Sequence, residues 1–172
     1  MMNVVLFGFM GTGKSTARRL VAGMLGYEFV DMDALIEQRT GRSIASIFAE
    51  DGEQAFRRLE RELTQELSAQ EGLVIATGGG LVLDADNISD MERSGFCIRL
   101  CATPEAILER TADESHRPLL EEGHRERRIR ELMTRREPYY AKVTHQMDTD
   151  GAMPEQVAEA IVRRLRNSAH FD

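Results

Sequence analysis

Apolar positions recur along the chain in two rhythms. Asn3–Phe7 (Asn-Val-Val-Leu-Phe) and Leu73–Ala76 are short runs closed by Gly8 and by Gly78-Gly79-Gly80. Such runs are the signature of buried parallel strands. Segments 27–30, 96–101 and 144–148 complete a set of five expected strands. Between them the period lengthens. Lys14–Leu25 carries Ala17, Leu20, Val21, Met24 and Leu25 at helical spacing and stops at Gly26, a natural residue just past a helix end. Segments 33–39 and 43–50 predict two short helices stopped by Gly41 and Gly52, the second capped by Ser43. A longer helix over 53–69 sets Phe56, Leu59, Leu63 and Leu67 on one stripe. Further helices are expected near 84–93, from Thr103-Pro104-Glu105 onward, over 125–137 and over 154–166, whereas 113–123 has no period and suits a loop or lid. Strand and helix in alternation predict an α/β fold, a parallel β-sheet of about five strands with helices on both faces. With no repeat, linker or composition break, the 172 residues read as a single domain, 1–172.

Composition narrows the partners. A chain of this length buries roughly 70% of its unfolded surface and needs no disulfide or metal staple. The net charge of −7 opposes non-specific binding to nucleic acid or anionic lipid. Many arginines nevertheless fall between Arg110 and Arg136, so a local anion site within an acidic protein is expected. On a strand, Cys97 and Cys101 stand about 13 Å apart, beyond disulfide reach, which favours free thiols and a reducing compartment. No signal peptide is visible, and no apolar run reaches the ~18–20 residues of a membrane helix. A cytoplasmic monomer is the expectation.

The chemistry begins at Gly8-Phe9-Met10-Gly11-Thr12-Gly13-Lys14-Ser15, which fits G-x-x-x-x-G-K-[ST] and lies between an apolar strand and a helix. Glycines let the backbone turn tightly with its N–H groups inward, and the helix N-terminus adds positive potential for polyphosphate. Lys14 would reach the β- and γ-phosphates and the Ser15 hydroxyl would ligate Mg²⁺. A GTPase would carry Asn-Lys-x-Asp, which is absent, and no ordinary magnesium-binding aspartate ends the third strand, which runs into Thr77 and glycines. Asp31 is the candidate for Mg²⁺ instead. In Asp31-Met32-Asp33 one carboxylate would serve the metal and the other an acceptor hydroxyl, at the carboxyl end of a parallel strand where ligands bind. The plainer role for Asp33 is to cap the next helix. Arg57 has a plain reading too, as part of a solvated face with Glu53 four residues before it. Arg117-Pro118-Leu119-Leu120 falls in the lid segment and Arg136 near the end of the next helix. A lid arginine can close over a transferring phosphoryl group.

Together these segments resemble the shikimate kinases: the P-loop, Asp31 and Asp33, Gly52-Glu53-Gln54-Ala55-Phe56-Arg57-Arg58-Leu59-Glu60, Gly78-Gly79-Gly80, Arg117-Pro118-Leu119-Leu120, and Arg136-Glu137-Pro138-Tyr139-Tyr140, in order from Val4 to about Tyr140. The resemblance implies γ-phosphoryl transfer from ATP to the 3-hydroxyl of shikimate, with Mg²⁺ as cofactor. It implies ATP contacts from Gly11, Thr12, Gly13, Lys14, Ser15, Thr16, Arg110 and Arg117. Asp33, Arg57, Gly79, Gly80 and Arg136 would hold the substrate, Lys14, Asp33 and Arg117 would carry catalysis, and Ser15 with Asp31 would hold the metal. Arg110 would pack on adenine, while Asp150-Gly151-Ala152-Met153-Pro154 matches the family's base-binding loop poorly. His116 beside Arg117 reads as solvated. Two rivals stand: another small-molecule P-loop kinase such as gluconate kinase, and a nucleotide-binding regulator without turnover.

Overall fold

A computed structural model describes residues 1–112 and 125–168. The expected lid at 113–123, with His116 and Arg117, lies outside the described residues. Five strands, β1 (Asn3–Phe7), β2 (Glu28–Asp31), β3 (Leu73–Ala76), β4 (Gly95–Cys101) and β5 (His145–Asp148), form one sheet in the order β2-β3-β1-β4-β5. Every neighbouring pair is parallel, in registers such as Val5 opposite Ile75 and Leu6 opposite Ile98. The connecting helices are α1 (Lys14–Leu25), α2 (Met32–Thr40), α3 (Ile44–Asp51), α4 (Glu53–Ser68), α5 (Ala85–Ser94), α6 (Pro104–Arg110), α7 (Arg125–Tyr140) and α8 (Pro154–Ser168).

The two faces of the sheet build two cores, because successive side chains of a strand point to opposite faces. Val4, Leu6, Val74, Phe96, Ile98 and Leu100 pack against α1 and α8 through Ala17, Val21, Ala158 and Ile161. Val5, Phe7, Ile75 and Cys97 face the other way, against Met32, Ile36, Phe56, Leu63 and Ile129. β1 is buried along its whole length, as the central strand of a sheet covered on both faces must be. Both cysteines are free, and burial pushes the Cys97 thiol far above its usual range.

Three local departures from the sequence pattern shape the site. The second strand ends on Asp31 rather than at position 30, and α2 follows without a loop. Asp31 therefore becomes the cap, its Oδ1 accepting from the Ala34 N–H at 3.1 Å, and Asp33 falls in the first turn. The last long helix, expected to stop at 137, runs through Pro138 to Tyr140. Proline removes one ladder bond from that turn, but Tyr140 is 2% exposed, its ring lies under the Arg99 guanidinium, and its burial holds the turn in place. A one-turn 3₁₀ helix, Leu81–Leu83, also follows the glycine triplet and buries Leu81 and Val82 completely enough to pin it.

Candidate active site

The carboxyl ends of all five strands open on one edge of the sheet, the edge where open α/β sheets bind ligands. At its centre the chain leaves β1 as a glycine-rich turn. Gly11 has φ +74°, and a Cβ there would stand 2.8 Å from the Thr111 methyl, so both conformation and space demand glycine. Thr12 is buried and donates from Oγ1 to the Phe9 carbonyl at 2.8 Å, which fixes the bend. Gly13 precedes the first turn of α1, where Ser15 and Thr16 are exposed. Lys14 Nζ donates to the carbonyls of Gly8 (2.6 Å) and Phe9 (2.8 Å), so its ammonium lies across the turn. Arg110, at the end of α6, donates to the Gly11 carbonyl (3.2 Å) and to Thr149 Oγ1 and O (3.1 and 3.0 Å). It thereby ties the turn to the end of β5, the rim where a base would lie.

A second cluster forms around Gly78-Gly79-Gly80, just beyond β3, and each glycine makes room for a different group. A Cβ on Gly78 would meet Asp33 Oδ1 at 2.7 Å and Glu60 Oε1 at 2.9 Å. One on Gly79 would stand 3.2 Å from the Arg136 guanidinium and 3.6 Å from the Tyr140 hydroxyl. One on Gly80 would run into the Arg57 guanidinium. The triplet is therefore the shared floor of a pocket whose walls come from α2, α4 and α7. The Tyr140 hydroxyl donates to the Gly79 carbonyl and secures that floor to α7.

The walls are charged and partly buried. Arg57 donates to Glu60 Oε2 at 2.5 Å and to Glu53 Oε1 at 3.1 Å. Burial pulls the Arg57 guanidinium down, but these two carboxylates together hold it above its ordinary value. Arg136 is 8% exposed and stands over the Phe9 ring of the phosphate turn, 5.8 Å from its centroid. Among the described residues no carboxylate forms an ion pair with it. Burial, reinforced by the like charge of Arg57, lowers its pKa against the help of Tyr140. Glu60 is buried at 1% exposure, and burial pushes its carboxyl up to about 7 despite Arg57. One buried and one half-buried guanidinium, the buried one in no ion pair among the described residues, make a site for an anionic group, and a carboxylate is the planar partner an arginine fork fits.

Asp31 and Arg18 join the two clusters. Arg18, buried on α1 one turn beyond Ser15, pairs with Asp31 Oδ2. Ser15 and Asp31 are thus held on the same side of α1. Among the described residues no group of three or more His, Cys, Asp or Glu could hold a metal, so a cation here would take most of its ligands from elsewhere.

Sequence patterning brought Lys14, Ser15, Asp33, Arg57, Gly79, Gly80 and Arg136 into consideration, and they lie along this one edge, in the glycine-rich turn and around the triplet. Arg117 lies outside the described residues. The patterning gave no role to Glu60, Tyr140 or Arg18. Glu60 had a visible signal: it stands four residues from Phe56 and three from Leu63, on the apolar stripe of α4, where a carboxylate is out of place. Arg18, three residues before Val21, interrupts the buried face of α1 in the same way.

The family model for shikimate kinase matches residues 10–166. The chain belongs to the shikimate kinase family. The shikimate kinase of Thermodesulfovibrio yellowstonii is 44% identical to it over 97% of this chain and 98% of its own length. That of Pelotomaculum thermopropionicum is 41% identical over the whole of both chains. The structure of the Acinetobacter baumannii shikimate kinase in complex with shikimate superposes with a TM-score of 0.92 at 34% identity, covering 98% of this chain and 94% of that one. A gluconokinase from Sinorhizobium meliloti shares the fold alone, at 18% identity and a TM-score of 0.63. The gluconate kinase alternative is therefore not favoured, and the chain is an ATP-dependent kinase of the shikimate kinase family. Among the described residues no helix is long and apolar enough to cross a membrane.

Proposed function

We propose that the chain transfers the γ-phosphoryl group of ATP to the 3-hydroxyl of shikimate, giving shikimate 3-phosphate and ADP. The observation that carries this reading is the meeting of Arg57, Arg136 and Asp33 on one glycine triplet beside the phosphate turn. Shikimate, a cyclic triol carboxylate, presents the complementary groups. Its carboxylate pairs with Arg57 and Arg136, and its hydroxyls meet Asp33 and the backbone of Gly79 and Gly80. The N–H groups of Gly11, Thr12, Gly13, Lys14, Ser15 and Thr16 hold the ATP phosphates, and Arg110 packs on the adenine. Ser15 and Asp31 would hold Mg²⁺, a hard cation suited to oxygen ligands. When bound, Mg²⁺ would supply positive charge that offsets that of the phosphates.

The transition state for phosphoryl transfer is loose, so positioning and charge are the protein's task. Asp33 fixes the acceptor hydroxyl in line with the γ-phosphorus and receives its proton late, as the new O–P bond completes and the bond to ADP breaks. Lys14 neutralises charge on the transferring group, and Arg117, from segment 113–123, is assigned to the same task by resemblance. The net charge of −7 opposes a nucleic-acid or anionic-lipid partner, and a cytoplasmic monomer remains part of this proposal.

The test follows ADP release with Mg·ATP and shikimate, against gluconate, AMP or no acceptor, with Lys14→Met as the blank. Release that needs shikimate and vanishes in the variant is the expected result. Release with another acceptor only removes the roles given to Arg57 and Arg136. ATP binding without release under any acceptor replaces the kinase by a regulator.

A further inference from the structure

Glu60 is a buried carboxylate with one oxygen engaged and one not. Its Oε2 accepts from Arg57, whereas Oε1 is enclosed without a hydrogen-bond partner and faces Gly78 on the pocket floor. The charged groups around it come from every wall. Arg57 faces it from α4 itself, Asp33 from α2 and Arg136 from α7, where Tyr140 also lies against the cluster. Asp90 of α5, which packs on α4, is taken up by Arg61 and Arg93. The pocket therefore brings together two guanidinium groups, Arg57 and Arg136, and two carboxylates, Asp33 and Glu60.

An acceptor that brings its own carboxylate adds a third negative charge to two positive ones. Against buried groups such as Glu60 and Arg136 that imbalance is costly, and buried groups respond by exchanging protons. Asp33 is committed to the acceptor hydroxyl. Glu60 has no such task, and its unengaged oxygen gives a proton a place to sit without disturbing the Oε2 contact to Arg57. We propose that Glu60 takes up a proton from solvent when the acceptor carboxylate engages Arg57 and Arg136, so that acceptor affinity weakens as pH rises through neutrality. This rests on the acceptor assignment made above. Glu60 is a positioning residue, acting through Arg57. The carboxylate becomes a carboxylic acid on binding and returns its proton when the product leaves. Its pKa of about 7 leaves it about half ionised at neutral pH, and an acceptor carboxylate that offsets the Arg57 and Arg136 charges pushes it higher still.

The experiment is calorimetric titration of wild-type protein with shikimate in buffers of different ionisation enthalpy between pH 6 and 8.5. Uptake of about half a proton at pH 7, approaching one at higher pH, is expected. The apparent Kd should rise with pH toward about tenfold per unit. Glu60→Gln keeps a neutral group of the same shape. It should bind shikimate with no proton uptake and a Kd flat across this range, a signature that loss of a merely structural contact does not produce. If that variant does not fold, the wild-type stoichiometry decides alone. Binding by wild type without proton uptake overturns the inference, as does equal uptake in Glu60→Gln. Absence of shikimate binding by wild type overturns the acceptor assignment, and this inference with it.

Discussion

The phosphate cradle and the acceptor pocket share one edge of the sheet but are built on opposite principles. The cradle is a single stretch of chain, Gly8 to Thr16, whose working groups are backbone amides, a helix end and one lysine held over the turn. It stays partly exposed and carries little buried charge. The pocket draws on four distant segments, α2, α4, the glycine triplet and α7, and encloses four ionisable groups against one another. The lesson concerns specificity. Polyphosphate is common to many substrates and is recognised by repeating dipoles, which one motif supplies. A particular small acid needs charges set in a particular geometry, and only a tertiary assembly holds those charges out of water.

Substitutions separate the two regions, and the largest effect is expected where they meet. Asp33→Asn should lower kcat by at least ~100-fold while ATP binding, read by calorimetry, is unchanged; an unaltered kcat removes Asp33 from the chemistry. Arg136→Met should raise the KM for shikimate by about 30-fold or more, the loss of a charged partner to a buried anion, with the KM for ATP held. A change in both constants would show that Phe9, under that guanidinium, couples cradle to pocket.

Gly80→Ala probes the floor. The added methyl displaces Arg57, and about a tenfold rise in the KM for shikimate is expected with only a small change in melting temperature. The pocket should also leave a mark on stability. Glu60 holds its proton to about 7 in the folded chain against 4.5 when unperturbed, so folding binds protons between those values. Stability is then fully present below about 4.5 and declines as pH rises through about 7. Thermal melting of wild type should fall by several degrees across that window, and Glu60→Gln should lack the slope. The smallest effect is expected from Tyr140→Phe, which leaves the Gly79 carbonyl without its donor and costs about 1 kcal/mol, or about 2–4 °C in melting temperature. Little change in either KM should accompany it.

The sequence by itself determined the scaffold and the cradle. Apolar runs of period two and stripes near period 3.6 are local, so the five strands and the helices between them were visible before any contact was known. The P-loop was visible for the same reason, since its turn, glycines and helix start are consecutive. Tertiary structure decided what the remaining residues do. The boundary of β2, one residue later than the pattern indicated, made Asp31 the cap and left Asp33 to face Gly78. The helix through Pro138 depended on the burial of Tyr140, which no local propensity records. Arg57 and Glu60 looked like one solvated helix face and one motif residue. Burial turned them into a charged pair on a pocket wall, because desolvation depends on what other segments cover and not on neighbours in the chain.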